Sequence, residues 1–230
     1  MPFFKQSKKP NIWSKTSYSQ SGEDLIVKFI FDALGIINPS YLDIGAHHPF
    51  YLSNTALLYE LGSRGINIEP DPTLFKTFLK DRALDKNINM GVGMEKADVD
   101  FYIISVPTLN TFSRKEAERY IDEGDYQITD VVKIPVDCVQ NIIDKYNTGV
   151  FPHFLNIDAE GVDELIVKSI DYEKNYPIVI CIETLTFSTS GNGLKNTAII
   201  DFLLKNNYLL YADTNINSVF VKKDLWQKKL

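Results

Sequence analysis

One stretch, Tyr41-Leu42-Asp43-Ile44-Gly45-Ala46-His47-His48-Pro49, constrains the fold of this chain more than any other. A short apolar run reaches an Asp, then a Gly, then a polar loop. Residues 53–61, just after it, carry an apolar-rich helical pattern. Strand, tight turn and helix in that order open a nucleotide-binding βαβ unit. Gly45 would let the backbone come close to a ligand at the carboxyl end of the strand. A second strand, Gly65-Ile66-Asn67-Ile68, ends in Glu69. That acid falls near the offset of about 20 residues at which a ribose-binding carboxylate is expected. A carboxylate there can accept hydrogen bonds from both ribose hydroxyls.

The rest of the chain repeats the alternation. Ser19 or Ser21 is the expected cap of a helix that starts near Glu23 and Asp24, both favourable in a first turn. Asp71 and Pro72 start a helix over residues 73–82. Residues 88–93 read as a third strand, 99–105 and 131–136 as further strands, 114–122 as a charged helix and 139–146 as another helix. Phe154-Leu155-Asn156-Ile157 and Ile178-Val179-Ile180-Cys181-Ile182 are buried-type strands, followed by helices at 162–170 and 192–206. Two closing strands at 208–212 and 218–221 are joined by a turn short enough to make the last one antiparallel. Strands alternating with helices imply a largely parallel α/β sheet covered on both faces. The expected organisation is a flexible arm over residues 1–16 and one domain over 17–230.

With 230 residues, 44% hydrophobic and 23% charged, the chain has the composition of an ordinary globular α/β protein. A net charge of -6 and the lack of a long basic run argue against a nucleic-acid partner. Lys5, Lys8, Lys9, Lys228 and Lys229 read first as solvated tails, with peripheral contact with an anionic membrane as the second reading. No apolar run approaches the length of a membrane span, and the N-terminus has no signal-peptide core, so the expectation is a cytoplasmic protein. Cys138 and Cys181 lie in apolar contexts and read as reduced thiols. No Cys/His cluster has zinc spacing.

Four acids fall at carboxyl ends of strands: Asp43, Glu69, Asp158 and Glu183, with Glu160 two residues past Asp158. In an open α/β sheet those ends form the ligand crevice. Such a rim suits a ligand with hydroxyls and positive charge. There is no P-loop, and the first turn lacks the second and third glycines of the dinucleotide fingerprint. A nucleoside with a cationic tail, S-adenosylmethionine, satisfies both observations.

From about residue 17 to 221 the chain resembles the FkbM-type methyltransferases, a class I S-adenosylmethionine-dependent family. The carrying segments are residues 17–24, 41–49, 53–55, 65–70, 89–93, 108–112, 154–161 and 180–183, in that order and spacing. His47 and Pro49 stand where many relatives have an Asn and a further Gly. The resemblance implies a Rossmann-like, seven-stranded, mostly parallel sheet with strand order 3-2-1-4-5-7-6. It implies that Asp43, Gly45, Ala46 and the adjoining His47 face the methionine part of the cofactor. Glu69, followed by Pro70, would hold the ribose, with Asn89, Gly91 and Val92 near the adenine. Asp158 and Glu160 would border the sulfonium and the acceptor. Gln20, Glu23 and Asp24 would close over the cofactor.

The expected activity is O-methyl transfer to a hydroxyl of a glycan, glycolipid or secondary metabolite. A hydroxyl benefits from a general base. Asp158, Glu160 and Glu183 are the candidates, since neighbouring carboxylates raise each other's pKa. Glu160 also reads as a helix N-terminal acid. Glu183 and Asp158 together could hold a divalent metal such as magnesium, although no spacing requires one. His48 reads as a turn residue and His153 as structural. Phe50, Tyr51, Phe112 and Phe187 are candidates for stacking on a ring. Two other readings are a cofactor-binding module with lapsed catalysis in polysaccharide assembly, and a nicotinamide-dependent oxidoreductase.

Overall fold

The structure is a computed structural model that describes residues 13–159, 161–185 and 193–229. It begins with α1 (Glu23–Leu34), β1 (Tyr41–Ile44), α2 (Ala56–Glu60), β2 (Gly65–Ile68), α3 (Pro72–Asp81) and β3 (Lys86–Ile88). Next come β4 (Gly91–Val92), β5 (Ala97–Ile104), a 3-10 turn (Pro107–Leu109), α4 (Arg114–Glu123) and β6 (Ile128–Asp137). The chain closes with α5 (Val139–Tyr146), β7 (Phe154–Ile157), α6 (Asp163–Lys168), β8 (Val179–Glu183), α7 (Thr197–Lys205), β9 (Tyr208–Asp213), β10 (Asn217–Lys222) and α8 (Lys223–Gln227).

Seven strands form one sheet in the order β3-β2-β1-β7-β8-β10-β9. Numbered within that sheet alone, they run 3-2-1-4-5-7-6. All its pairings are parallel except those of β10, which runs antiparallel to both β8 and β9. The architecture is therefore α/β and Rossmann-like. It departs from a single sheet because β4, β5 and β6 make a second one, in the order β4-β6-β5. Here the third strand predicted over 88–93 is corrected. It ends at Ile88, and Gly91 and Val92 pair instead with Val136 and Asp137 of β6.

The central strands β1 and β7 are buried at every residue, as a parallel strand covered on both faces must be. On one face, Val27, Ile30 and Phe31 of α1 pack with Tyr41, Phe154, Val179 and Cys181. On the other, Ile142, Ile143, Ile166, Val167, Ile199 and Leu203 of α5, α6 and α7 pack on Leu42, Ile44, Leu155, Ile157 and Ile180.

Local details differ from the sequence reading for identifiable reasons. Gly22, at φ 90, is the residue before α1 and has no side chain to cap it. Ser19 serves from further back: its Oγ accepts the Gly22 amide at 3.0 Å and the Asp24 amide at 3.4 Å, and donates to the Asp24 carboxylate at 2.9 Å. Helix α2 starts three residues late because residues 53–55 bond elsewhere. Ser53 Oγ accepts from the Ala56 amide and Thr55 Oγ1 donates to Asp43. Asp71 caps α3 as its sequence suggests, accepting from the Thr73 and Leu74 amides. Asn196 caps α7 in the same way. No helix among the described residues is long and apolar enough to cross a membrane.

Candidate active site

The carboxyl ends of β1, β2, β7 and β8 open onto one cavity of about 500 Å³, within the usual range of roughly 300–1,000 Å³ for small-molecule sites. Among the residues lining it are Asp43, Gly45, Ala46, His47, Glu69, Pro70, Asp158 and Glu183. It lies where strand order reverses between β1 and β7, the place at which open α/β sheets bind ligands.

Gly45 has a cause beyond the one its motif suggests. It sits at φ 72, and a Cβ there would lie 1.7 Å from the main-chain oxygen of Asp158. The glycine therefore also lets the β7 loop press against the β1 loop, while it lines the cavity. The Asp158 amide donates to the Ile44 carbonyl at 3.0 Å and locks the two loops together.

The acids divide into two groups. Asp43 is buried, with Thr55 Oγ1 donating to one oxygen at 2.6 Å and Asn156 Nδ2 to the other at 2.8 Å. Burial pushes its pKa up, against those two donors. Glu69 accepts the His47 amide at 2.6 Å and the Asp71 amide at 2.7 Å, one on each oxygen. A carboxylate has about four lone-pair sites, so each Glu69 oxygen keeps one for a further donor. Burial pushes Glu69 up to about 8. Asp163, unnoticed in the sequence, accepts the Ala159 and Gly161 amides and shapes the turn after β7. Burial pushes its pKa up as well.

Asp158 and Glu183 form the second group. No hydrogen bond or ion pair reaches either carboxylate among the described residues. Asp158 is open to solvent through the cavity and is nonetheless ringed by protein. Desolvation, then the charges of Asp163 and Asp43, raise its pKa to about 7. Desolvation and the charge of Asp158, then of Asp163, raise Glu183 to about 9. Lys195 lowers it only in part, because its ammonium is bonded to Asp213 and to the Asn215 carbonyl. At neutral pH the pair therefore holds between one and two protons.

Other candidate residues are placed as follows. Gln20 lines the cavity, while Glu23 and Asp24 do not. Glu23 accepts from Thr214 and Asn217, and Asp24 from Ser17, Ser19 and the Tyr18 amide. These two acids tie down the segment that carries Gln20. Asn89 stays out of the lining and donates to the Glu69 and Pro70 carbonyls, holding that loop. Gly91 and Val92 line the cavity beside Met90. A Cβ on Gly91 would meet the Phe112 ring at 2.3 Å, so the glycine makes room for that ring. Tyr51, Phe101 and Phe112 line the cavity, whereas Phe50 packs on Tyr18. His47 has φ 54, and burial lowers its pKa. His48 Nδ1 accepts the Phe50 and Tyr51 amides, and His153 Nδ1 bonds the main chain of Ser40. Both are turn residues. Glu160 and Phe187 lie outside the described residues. No group of His, Cys, Asp and Glu able to hold a metal is found among the described residues.

The sequence reading also missed the residues that orient the site. Arg82 is fully buried. It pairs with Asp85 at 2.9 Å, stacks 4.5 Å from the Tyr59 ring and donates to the Pro49 carbonyl at 3.0 Å, fixing the end of the first loop. Asn110 donates to Asp71 at 2.9 Å and so fastens the 107–112 loop over the cavity. Asn54, Asn156 and Asn217 line the wall. Their one signal in the sequence is a polar residue inside, or next to, an otherwise apolar run.

A profile of the methyltransferase FkbM domain matches residues 43–210, from β1 into β9. The chain belongs to the FkbM methyltransferase family. All the strand-end acids of the cavity fall within the matched span, whereas the Gln20 segment and Asn217 fall outside it. A comparison with curated proteins gives no match. By strand order, Asp158 after β7 and Glu183 at the end of β8 lie on the other side of β1 from Glu69, which follows β2.

Proposed function

We propose that this FkbM methyltransferase binds S-adenosylmethionine in the cavity and methylates a hydroxyl of a glycan, glycolipid or secondary metabolite. The observation that carries the reading is the contrast among the acids. Glu69 is tied to two amides with one acceptor site left on each oxygen, while no hydrogen bond or ion pair from a described residue reaches Asp158 or Glu183. The first arrangement fits a vicinal diol such as a ribose. The second fits removal of a proton.

Bound there, S-adenosylmethionine would supply an electrophilic methyl carbon, with a neutral thioether as the leaving group for the acceptor oxygen. Glu69 would accept from the ribose hydroxyls, and Pro70 and Met90, which line the cavity beside it, would hold the nucleoside. Asp158, ionised in part at neutral pH, takes the proton of the acceptor hydroxyl, and Glu183, protonated, donates a hydrogen bond beside it. Tyr51, Phe101 and Phe112 exclude water from the cavity, where positioning supplies much of the acceleration. Nothing in this arrangement requires a metal.

The test is transfer of labelled methyl from S-adenosylmethionine to a panel of sugars, glycolipids and hydroxylated metabolites. Against the acceptor that turns over, Asp158→Asn and Glu183→Gln should each lower kcat by about 10²–10⁴-fold, the span of general-base catalysis. Full kcat in the double variant would refute these roles.

A further inference from the structure

Along the β9 edge of the large sheet, three aromatic rings from three elements form a row. Phe29 of α1, Tyr211 of β9 and Trp226 of α8 follow one another, with ring centroids 6.5 Å and then 5.0 Å apart. Tyr211 and Trp226 are half-buried against the core beneath α1, while Phe29 is 54% exposed. Just past the end of α1, Ile37 stands 87% exposed. Single apolar side chains at a surface need no explanation, but a contiguous set of them marks a contact.

Basic residues frame the row. Residues 223–229 carry Lys223, Lys228 and Lys229 against one acid, Asp224, in a chain whose net charge is -6. The Lys229 ammonium lies 3.6 Å from the point where a Cβ on Gly35 would stand, so it reaches back over the end of α1, two residues from Ile37. Lys28, on the outer side of α1, is paired with Asp32 and adds no net charge.

The combination decides between occupants. Aromatic rings settle at the headgroup depth of a bilayer, and lysines beside them meet the negative charge of anionic lipids. A second copy of the chain fits less well, because a two-fold contact sets this lysine-rich corner against itself. The cavity lies at the other end of the same elements. β10 runs from Asn217, which lines the cavity, to Lys222, next to α8. α1 runs the same way, from Glu23, bonded to Asn217, to Gly35 beside Lys229. Six strand residues span about 20 Å, so a chain seated on this corner keeps its cavity clear of the lipid.

We infer that the corner formed by α1, β9 and α8 docks the protein on an anionic lipid surface. Phe29, Ile37 and Trp226 enter the headgroup layer, and Lys223, Lys228 and Lys229 meet its charge. The inference does not depend on which ligand the cavity takes.

Sedimentation of the full chain with vesicles of phosphatidylcholine alone, and of phosphatidylcholine mixed with phosphatidylserine, tests it. At low salt the mixed vesicles should bind at least about tenfold more tightly, and the difference should fade as salt is raised. The chain has two tryptophans, Trp13 and Trp226. In a Trp13→Phe background, Trp226 emission should therefore shift to the blue on the mixed vesicles. The joint variant Lys223→Glu, Lys228→Glu, Lys229→Glu should lower affinity for them by at least about tenfold, and Phe29→Ser should weaken it as well. Thermal melts without vesicles report whether each variant is folded. No binding to the mixed vesicles, equal binding to both kinds, undiminished binding by the folded lysine variant, or unmoved Trp226 emission in sedimented protein overturns the inference. Dimerisation in analytical ultracentrifugation that Phe29→Ser abolishes also overturns it, and gives the corner to a second copy.

Discussion

Gly45→Ala perturbs the place where β1, β7 and the cavity meet. Two costs can be worked from the structure. Alanine in the left-handed region, at the observed φ of 72, costs about 1–2 kcal/mol. The new Cβ would lie 1.7 Å from the Asp158 main-chain oxygen, where real contacts do not fall below 3.0 Å. Neither atom belongs to a flexible side chain, so the two loops must part by more than an ångström. That breaks the Asp158 amide to Ile44 carbonyl bond, at about 0.5–1.5 kcal/mol, and strains the packing by about 1–3 kcal/mol. The total is about 3–6 kcal/mol, a large part of the roughly 5–15 kcal/mol that stabilises a typical domain. Urea unfolding followed by circular dichroism measures it. S-adenosylhomocysteine titration of the folded fraction should also show weakened binding, because Asp158 moves with its backbone. A change in stability below about 0.5 kcal/mol together with unaltered binding would refute the argument.

Arg82→Met leaves Asp85 without its buried cation and the Pro49 carbonyl without its donor, and should cost about 3–5 kcal/mol in denaturant unfolding; a loss under 1 kcal/mol would show that the network carries little. A carboxyl whose pKa is raised by folding contributes stability that is present below its unfolded value, near 4, and lost as pH rises through the folded value. With Asp158 at about 7, Glu69 at about 8 and Glu183 at about 9, the melting temperature of the ligand-free protein should fall from about pH 4 upward and level off near pH 9. The Asp158→Asn, Glu183→Gln double variant should flatten that decline, and an equally steep fall in it would exclude these carboxyls as the cause. Asn110→Ala removes the tie from the 107–112 loop to Asp71 and should lower stability by about 1–2 kcal/mol while speeding limited proteolysis between residues 105 and 113. Unchanged cleavage would show that the tie does not hold the loop.

The parallel core was legible because strands buried on both faces are continuous apolar runs, and Tyr-Leu-Asp-Ile, Phe-Leu-Asn-Ile and Val-Ile-Cys-Ile read that way with no partner in view. Strand three was misplaced because Gly91 and Val92 look like its continuation, while their partners Val136 and Asp137 lie far along the chain. The strand-end acids were visible as a set. Their division into bonded and unpartnered groups was not, since Asp43 takes its second donor from Asn156, 113 residues away, and Glu23 is satisfied from Asn217, 194 residues away. Gly45 was legible only in part. Its spacing fits a ligand turn, and only the folded backbone reveals the Asp158 carbonyl behind it. Arg82 carried no signal at all, because a basic residue at the end of a helix ordinarily reads as solvated.

Calorimetric titration with S-adenosylhomocysteine, of the wild type and of Glu69→Gln and Glu69→Ala, tests the central claim most directly. Glu69 also holds the His47 and Asp71 amides, so each variant is first shown to be folded by its thermal melt. The account predicts one site per chain in the wild type and affinity lower by at least about tenfold in both variants, as expected when two hydrogen bonds worth about 0.5–1.5 kcal/mol each are lost. Folded wild-type protein that binds no S-adenosylhomocysteine, or Glu69 variants that bind as tightly as the wild type, would contradict it.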